Sequence, residues 1–193
     1  KRIRLCAALA MVLLLTACGQ APAEHEREER LTVVATVFPA YDFARAAGGE
    51  LAEVRLLLPP GAESHSYEPT PADILAVQEC DLFLYLGGES DAWVETILES
   101  VDMQGEALRM VDCVDLLEET VEGMEDHEGH DHDHAEGPGL GEVVGYDEHV
   151  WTSPKNAAAI TRAVGDRLAE LDPANAGTYA ANTEGYAARI EAL

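Results

Sequence analysis

Short apolar runs alternate with helix-like segments along most of the chain, and each apolar run ends near turn-forming residues. The predicted strands cover residues 31–37, 53–58, 81–87 and 107–111. The predicted helices between and after them cover residues 39–47, 71–79, 91–100, 154–171 and 173–193. Such alternation predicts an α/β fold, with an open and mainly parallel sheet flanked by helices on both faces.

Prolines mark the first turn of three of these helices, where a missing N–H costs nothing. The residues before them are candidate N-caps: Thr70 before Pro71, Ser153 before Pro154, and Asp172 before Pro173. In the last helix the apolar periodicity still runs at Leu193, so we expect the sequence to stop within that helix.

The amino-terminal residues predict a secreted lipoprotein. Three basic residues precede the apolar run 5–15, which is too short to span a bilayer. The run ends at Leu-Thr-Ala-Cys, which resembles the lipobox of bacterial lipoproteins. We therefore expect a signal peptide at residues 1–17, lipid attachment at Cys18, and a polar tether at residues 18–30 that holds the protein outside the cytoplasm at the bacterial cell membrane.

Net charge limits the possible partners. The formal charge is −25, and loss of the three basic residues of the signal peptide would make it −28. Such a surface repels nucleic acid and anionic headgroups and attracts cations. We therefore expect no nucleic-acid partner, contact with the membrane only through the lipid anchor, and a monomer.

Cys80 and Cys113 remain open to two interpretations. Outside the cytoplasm they could form a disulfide, which would stabilise the fold by roughly 3 to 4 kcal/mol. Two free buried thiols fit the sequence equally well. Their spacing contains no C-x-x-C pair and so does not indicate zinc ligation.

Two histidines occur in turn-forming segments. His65 follows the second predicted strand, and His149 directly precedes a helix. In open α/β sheets the loops beyond the carboxyl ends of the strands converge on one crevice, so distant residues can meet there. Imidazole is the commonest protein ligand for zinc, and a tetrahedral site needs four donors. A histidine in a loop is more often a solvated surface group, so spacing alone does not assign either one.

The surrounding segments are more specific. VFPAYDFA at 37–44, LLPPGAESHSYEPTPADI at 57–74 and DEHVWTSPKNA at 147–157 resemble the zinc branch of the metal-binding ABC-transporter solute-binding proteins. The resemblance implies that residues 31–172 form an amino-terminal metal-binding lobe, with His65 and His149 as ligands of Zn(II). It also implies that residues 173–193 begin an inter-lobe helix, that the other ligands come from a carboxyl-terminal lobe absent from this chain, and that the zinc passes to an ABC permease.

Departures from the family pattern surround both histidines. Members usually have Pro before and Asp after the first histidine, where this chain has Ser64 and Ser66, and Pro before the second, where it has Glu148. Glu63 could act as an auxiliary ligand or orient the imidazole of His65, although a solvated carboxylate is the commoner outcome for such a residue.

Residues 118–142 form an acidic, histidine-rich segment that we expect to be a disordered loop. Between 118 and 136 it contains nine acids, four histidines and no Lys or Arg. We interpret His127, His130, His132 and His134 as auxiliary sites for transient zinc capture, since His-rich tracts are rare in composition. A solvated linker with incidental histidines is the alternative.

Other functions remain in competition. A manganese or iron(II) carrier of the same family would need harder, oxygen-rich ligands. A metal-dependent adhesin could use the same fold without a transporter. A secreted zinc hydrolase is disfavoured because the sequence contains neither H-E-x-x-H nor G-x-S-x-G, and we expect no enzyme activity and no catalytic residue.

Overall fold

The computed structural model describes residues 30–116 and 147–193. Cys18 and the histidines at 127, 130, 132 and 134 lie outside these ranges, as do the predicted signal peptide and the acidic loop. Within the two ranges no helix is both long and apolar enough to cross a bilayer.

Four parallel strands form one sheet. They are β1 (Leu31–Ala35), β2 (Ala52–Leu56), β3 (Leu82–Tyr85) and β4 (Glu106–Arg109). Their order across the sheet is β2-β1-β3-β4, so the connections leave β1 and β3 in opposite directions. The predicted parallel sheet is confirmed, with the fourth strand starting and ending slightly before the predicted residues 107–111.

Helices cover both faces of this sheet, as predicted. They are α1 (Phe38–Gly48), α2 (Pro71–Glu79), α3 (Ala92–Ser100), α4 (Pro154–Leu171) and α5 (Ala176–Glu191). Successive side chains of a strand point to opposite faces, so Val33 and Leu84 pack in one apolar core with α1, α4 and α5, whereas Val34 and Phe83 pack in a second core with α2 and α3. Both faces are buried, which explains why the central strands are apolar at nearly every position, with Thr32 at the exposed start of β1 as the polar exception.

Of the three candidate N-caps, the structure confirms one. Thr70 caps α2 as expected, in a capping box with Asp73. Ser153 makes no side-chain cap bond to α4. Asp172 makes none either, because its carboxylate accepts hydrogen bonds from Asn175 Nδ2 at 2.7 Å and the Tyr179 hydroxyl at 2.9 Å. Pro173 accordingly begins a 3-10 turn, and α5 starts three residues later than predicted.

Of the two interpretations of Cys80 and Cys113, the structure contradicts the disulfide and agrees with the free thiols. Both thiols are free. Cys80 is buried in the core beneath α2 and α3, whereas Cys113 packs against the core on the opposite face of the sheet. Each thiol instead donates a hydrogen bond to a nearby carbonyl, Cys80 to Val77 and Cys113 to Arg109. The sheet therefore separates the two sulfur atoms.

Helices α4 and α5 pack closely at Gly165, where a Cβ would collide with the side chain of Thr183. We predict that Gly165→Ala lowers the free energy of unfolding by about 1 to 3 kcal/mol, because overpacking outweighs the better helix propensity of Ala. Gly185→Ala on α5 is the matched control, since nothing lies within 4 Å of its Cβ position. Chemical denaturation should show this control to be as stable as the wild type or more so; equal losses would contradict the packing argument.

Candidate metal centre

The carboxyl ends of β1 and β3 form the point where the chain connections diverge. Helix α1, which follows β1, and helix α3, which follows β3, pack on opposite faces of the sheet. Divergence of this kind opens a crevice at the sheet edge, and ligands of open α/β folds bind there. Both predicted histidine segments approach this edge.

His65 reaches the edge through two consecutive turns after β2. The Ala62 N–H donates to the Pro59 carbonyl at 3.0 Å, and Gly61 has a φ of 84°. Pro60 and Gly61 thus occupy the two central positions of a type II turn, which favours Pro followed by Gly. A 3-10 turn over Ser64–Ser66 then carries His65, whose side chain is exposed.

A buried carboxylate fixes the chain just after His65. Asp73, only 7% exposed, accepts hydrogen bonds from the Tyr67 hydroxyl at 2.9 Å and the Thr70 hydroxyl at 2.6 Å, and it pairs with Arg55 at 2.5 Å. Burial acts to raise the pKa of Asp73, but the hydrogen bonds from Thr70 and Tyr67 and the charge of Arg55 hold this pKa below its usual value. The Tyr67 ring in turn packs edge-on against Trp93, at 5.1 Å between centroids. The segment leading away from His65 is therefore anchored to the domain.

His149 is held by its own neighbours. Its Nδ1 lies 2.9 Å from Asp147 Oδ1, which also accepts the His149 backbone N–H at 2.8 Å, and its ring packs 5.3 Å from that of Trp151. The backbone and ring hydrogen bonds from His149 lower the pKa of Asp147, so the carboxylate is ionised. An ionised carboxylate only accepts, so Nδ1 must carry the proton. The lone pair of Nε2 is then available to a metal ion, and the ring is 68% exposed.

One three-residue turn contacts both histidine segments. The 3-10 turn Glu89–Asp91 packs against the turn that carries His65, and the Ser64 hydroxyl donates to Asp91 Oδ1 at 2.7 Å. At the other end of the same turn the Glu89 N–H donates to the carboxylate of Glu148. Ser64 and Glu148 each directly precede a histidine, so the structure brings His65 and His149 to the same edge.

Sequence reasoning does not identify Asp91, which is 1% exposed, as a residue of the site. The sequence pattern predicts Asp91 only as the first residue of a helix. The sequence features that could have indicated its role are the nearby Gly87 and Gly88, which follow a strand and have φ values of 86° and 97°. Paired glycines after a buried strand indicate a tight turn at the carboxyl edge of the sheet, and a short acid just beyond them is a candidate to bind that turn.

Glu63 does not join the two histidines. It is exposed, and no group of three or more His, Cys, Asp or Glu side chains within residues 30–116 and 147–193 is arranged to hold a metal ion. This part of the chain therefore offers two imidazoles and a carboxylate-rich surrounding. Two nitrogen donors suit a borderline-soft cation such as zinc but leave half of a tetrahedral shell to other groups.

A parallel α/β domain that presents histidines at a crevice is typical of the lobes of extracytoplasmic solute-binding proteins. The chain belongs to the family described as zinc-uptake complex component A, periplasmic, whose profile matches residues 33–193.

Individual relatives agree with this assignment. The zinc-binding lipoprotein AdcA of Streptococcus pneumoniae is 31% identical over 100% of this chain and 36% of its own length. The iron-binding protein YfeA of Yersinia pestis is 33% identical over 86% of this chain and 47% of its own length. The crystal structure of the Zn(II)-bound ZnuA-like domain of AdcA superposes with a TM-score of 0.66 at 26% identity, covering 84% of this chain and 52% of that one. The chain thus spans about a third to a half of the proteins it matches.

The Asp73 network leads to a prediction about stability. We expect Asp73→Ala to lower the free energy of unfolding by about 2 to 4 kcal/mol, because it removes the Asp73 half of the capping box, the partner of Arg55, and the nearer of the two acceptors of the Tyr67 hydroxyl. Because folding lowers the pKa of Asp73, its carboxylate stabilises the fold fully at pH values above its ordinary pKa of 3.8. This contribution is lost as the pH falls below 3.8 and the carboxylate becomes protonated. The difference from wild type, measured by urea denaturation, should therefore shrink below about pH 4. Asp102→Ala, at an exposed loop acid, is the control and should change stability by less than about 0.5 kcal/mol.

The contact between Asp147 and His149 leads to a prediction about the tautomer. At about pH 8 the neutral ring of His149 should carry its proton on Nδ1, as read from the 15N shifts of the two ring nitrogens by NMR. Asp147→Asn should keep this tautomer, since its amide oxygen still accepts, whereas Asp147→Ala should lose the preference. A wild-type ring protonated mainly on Nε2 would contradict the geometry.

Proposed function

We propose that this chain forms one half of the zinc site of an extracytoplasmic solute-binding lipoprotein, which captures Zn(II) and delivers it to an ABC importer. The observation that carries the proposal is the contact of both histidine segments with the single turn Glu89–Asp91. The family assignment and the names of the zinc-binding relatives give it independent support.

In this proposal the two imidazoles bind the ion through nitrogen, and groups outside this chain complete the shell. A zinc–nitrogen bond is about 2.0 to 2.1 Å long, so both rings must approach one point. The exposed acids around them favour the approach of a cation. The protein releases its cargo unchanged, so it performs no catalysis.

The remaining features take supporting roles in the proposal. Cys18 carries the lipid that anchors the protein at the cell membrane, residues 18–30 act as a tether, and the protein works as a monomer. His127, His130, His132 and His134 bind zinc transiently and more weakly than the main site, because a segment whose sequence predicts disorder would lose entropy on binding. The boundaries of residues 31–172 and 173–193 as lobe and inter-lobe helix belong to the same proposal.

Iron(II) or manganese is the second candidate cargo, and the similarity to the iron-binding protein YfeA is the observation that favours it. The donors in this chain favour zinc, because imidazole suits zinc better than it suits the harder manganese ion. Competition between the metals on the full-length protein distinguishes the two. Zinc should displace both manganese(II) and, under anaerobic conditions, iron(II) at equal concentrations; the reverse order for either ion would assign the cargo to that ion.

The proposed ligands can be tested by zinc titration against a chromophoric chelator, using full-length protein that lacks residues 124–137 so that the histidine tract cannot contribute. We expect His65→Ala and His149→Ala each to weaken zinc binding by more than about a hundredfold, beyond the effect of losing an outer-shell partner. His25→Ala, in the predicted tether, is the control and should bind zinc as the parent does. Unchanged zinc affinity in the double variant of His65 and His149 would refute the assignment.

A further inference from the structure

We propose that the turn Glu89–Asp91 positions both metal-binding histidines, with Asp91 as its central positioning residue, so that the two histidine segments respond together to any movement of the turn. This inference rests on the proposed function, because it concerns how the same two imidazoles are held. It assigns a role to two residues, Asp91 and Glu148, that are not themselves ligands.

The first half of the argument is the burial of Asp91. Removing a carboxylate from water is costly unless hydrogen bonds replace the lost solvation. Here Oδ2 accepts from the backbone N–H of Leu86 at 2.7 Å and from the Thr36 hydroxyl at 3.3 Å, while Oδ1 accepts from the Ser64 hydroxyl at 2.7 Å. These donors come from the ends of β1 and β3 and from the turn that carries His65. The carboxylate therefore joins the His65 segment to the centre of the sheet.

The second half is the contact with the His149 segment. The carboxylate of Glu148 accepts the backbone N–H of Glu89 and lies across Gly88. Gly88 has a φ of 97°, and a Cβ at this residue would collide with the Glu148 side chain. Glycine thus provides both the backbone conformation and the space that let Glu148 reach the turn. The His149 segment is thus joined to the first residue of the same turn whose last residue holds the His65 segment.

These two contacts make the path between the histidines short. Ser64 directly precedes His65, Glu148 directly precedes His149, and only the turn lies between their hydrogen bonds. A metal site loses affinity when its ligands are misplaced by about half an ångström. Because the turn contacts both segments, a shift of the turn changes the position of both imidazoles at once.

The experiment compares Asp91→Ala with Asp91→Asn in full-length protein lacking residues 124–137, with zinc affinity measured by chelator competition. Asp91→Ala should weaken zinc binding about ten- to a hundredfold, as outer-shell losses do. Asp91→Asn should stay within about threefold, because its oxygen can accept the Leu86 N–H while its amide group donates to the Ser64 hydroxyl. Equal effects of the two variants, or an unchanged Asp91→Ala protein, would overturn the proposal.

Two controls separate positioning from general effects. Asp102→Ala removes an exposed acid from a loop outside the turn Glu89–Asp91, so it should bind zinc as the parent does. Gly165→Ala lowers stability away from the site and should also keep the parent affinity. If Gly165→Ala weakened zinc binding as much as Asp91→Ala, the effect would be one of stability and the proposal would be wrong.

Variants that each remove one hydrogen bond to the turn test whether the two histidine segments are coupled through it. They also test the proposal if Asp91→Ala does not fold. Ser64→Ala and Glu148→Ala should each weaken zinc binding roughly three- to tenfold, while Glu148→Gln, which can still accept, should not. Because both act through one turn, the double variant should lose less than the product of the two effects. A full product, or unchanged affinity in both single variants, would overturn the coupling.

Failure of this inference is distinguishable from failure of the proposed function. If replacing His65 and His149 weakens zinc binding but the Asp91 and Glu148 variants bind normally, only the positioning role is wrong. If replacing the two histidines has no effect, the metal site itself is wrong and the positioning role is wrong with it.

Discussion

The candidate site depends on the hydrogen bonds of one buried carboxylate, which lies where the chain connections after β1 and β3 diverge. The ends of β1 and β3 separate there because their connections leave in opposite directions, and unpaired donors remain where strand pairing stops. Asp91 accepts hydrogen bonds from these donors and from the turn carrying His65. The same acid therefore satisfies donors at the end of the sheet and fixes the turn that carries His65 to that end.

Parts of this arrangement follow from local sequence. Thr70, Pro71 and Asp73 predict a helix start because the capping box is formed within four residues, and the structure contains it. The apolar runs predict buried parallel strands because both faces of the sheet are covered. These features depend on residues that are close together in the sequence, so the amino-acid sequence alone predicts them.

Other parts depend on contacts that no local pattern specifies. Glu148 looks like a surface acid in the sequence, yet its partner is the backbone N–H of Glu89, 59 residues away. Every residue except proline has a backbone N–H, so the identity of residue 89 gives no indication of this contact. Asp172 precedes a proline and looks like a cap, but Tyr179 and Asn175 bind its carboxylate in the folded chain. In both cases the competing donor was supplied by tertiary or medium-range structure.

The separate burial of Cys80 and Cys113 bears on the chemistry of a metal carrier. Thiolate is a softer and stronger ligand for zinc than imidazole, but burial raises the pKa of each thiol to about 11, with a nearby aspartate adding to the effect. At neutral pH only about one thiol in ten thousand is then ionised. In the proposed site these two sulfur atoms are thereby withheld from the ion, and imidazole nitrogen in their place binds the ion less tightly than thiolate would, which favours its release.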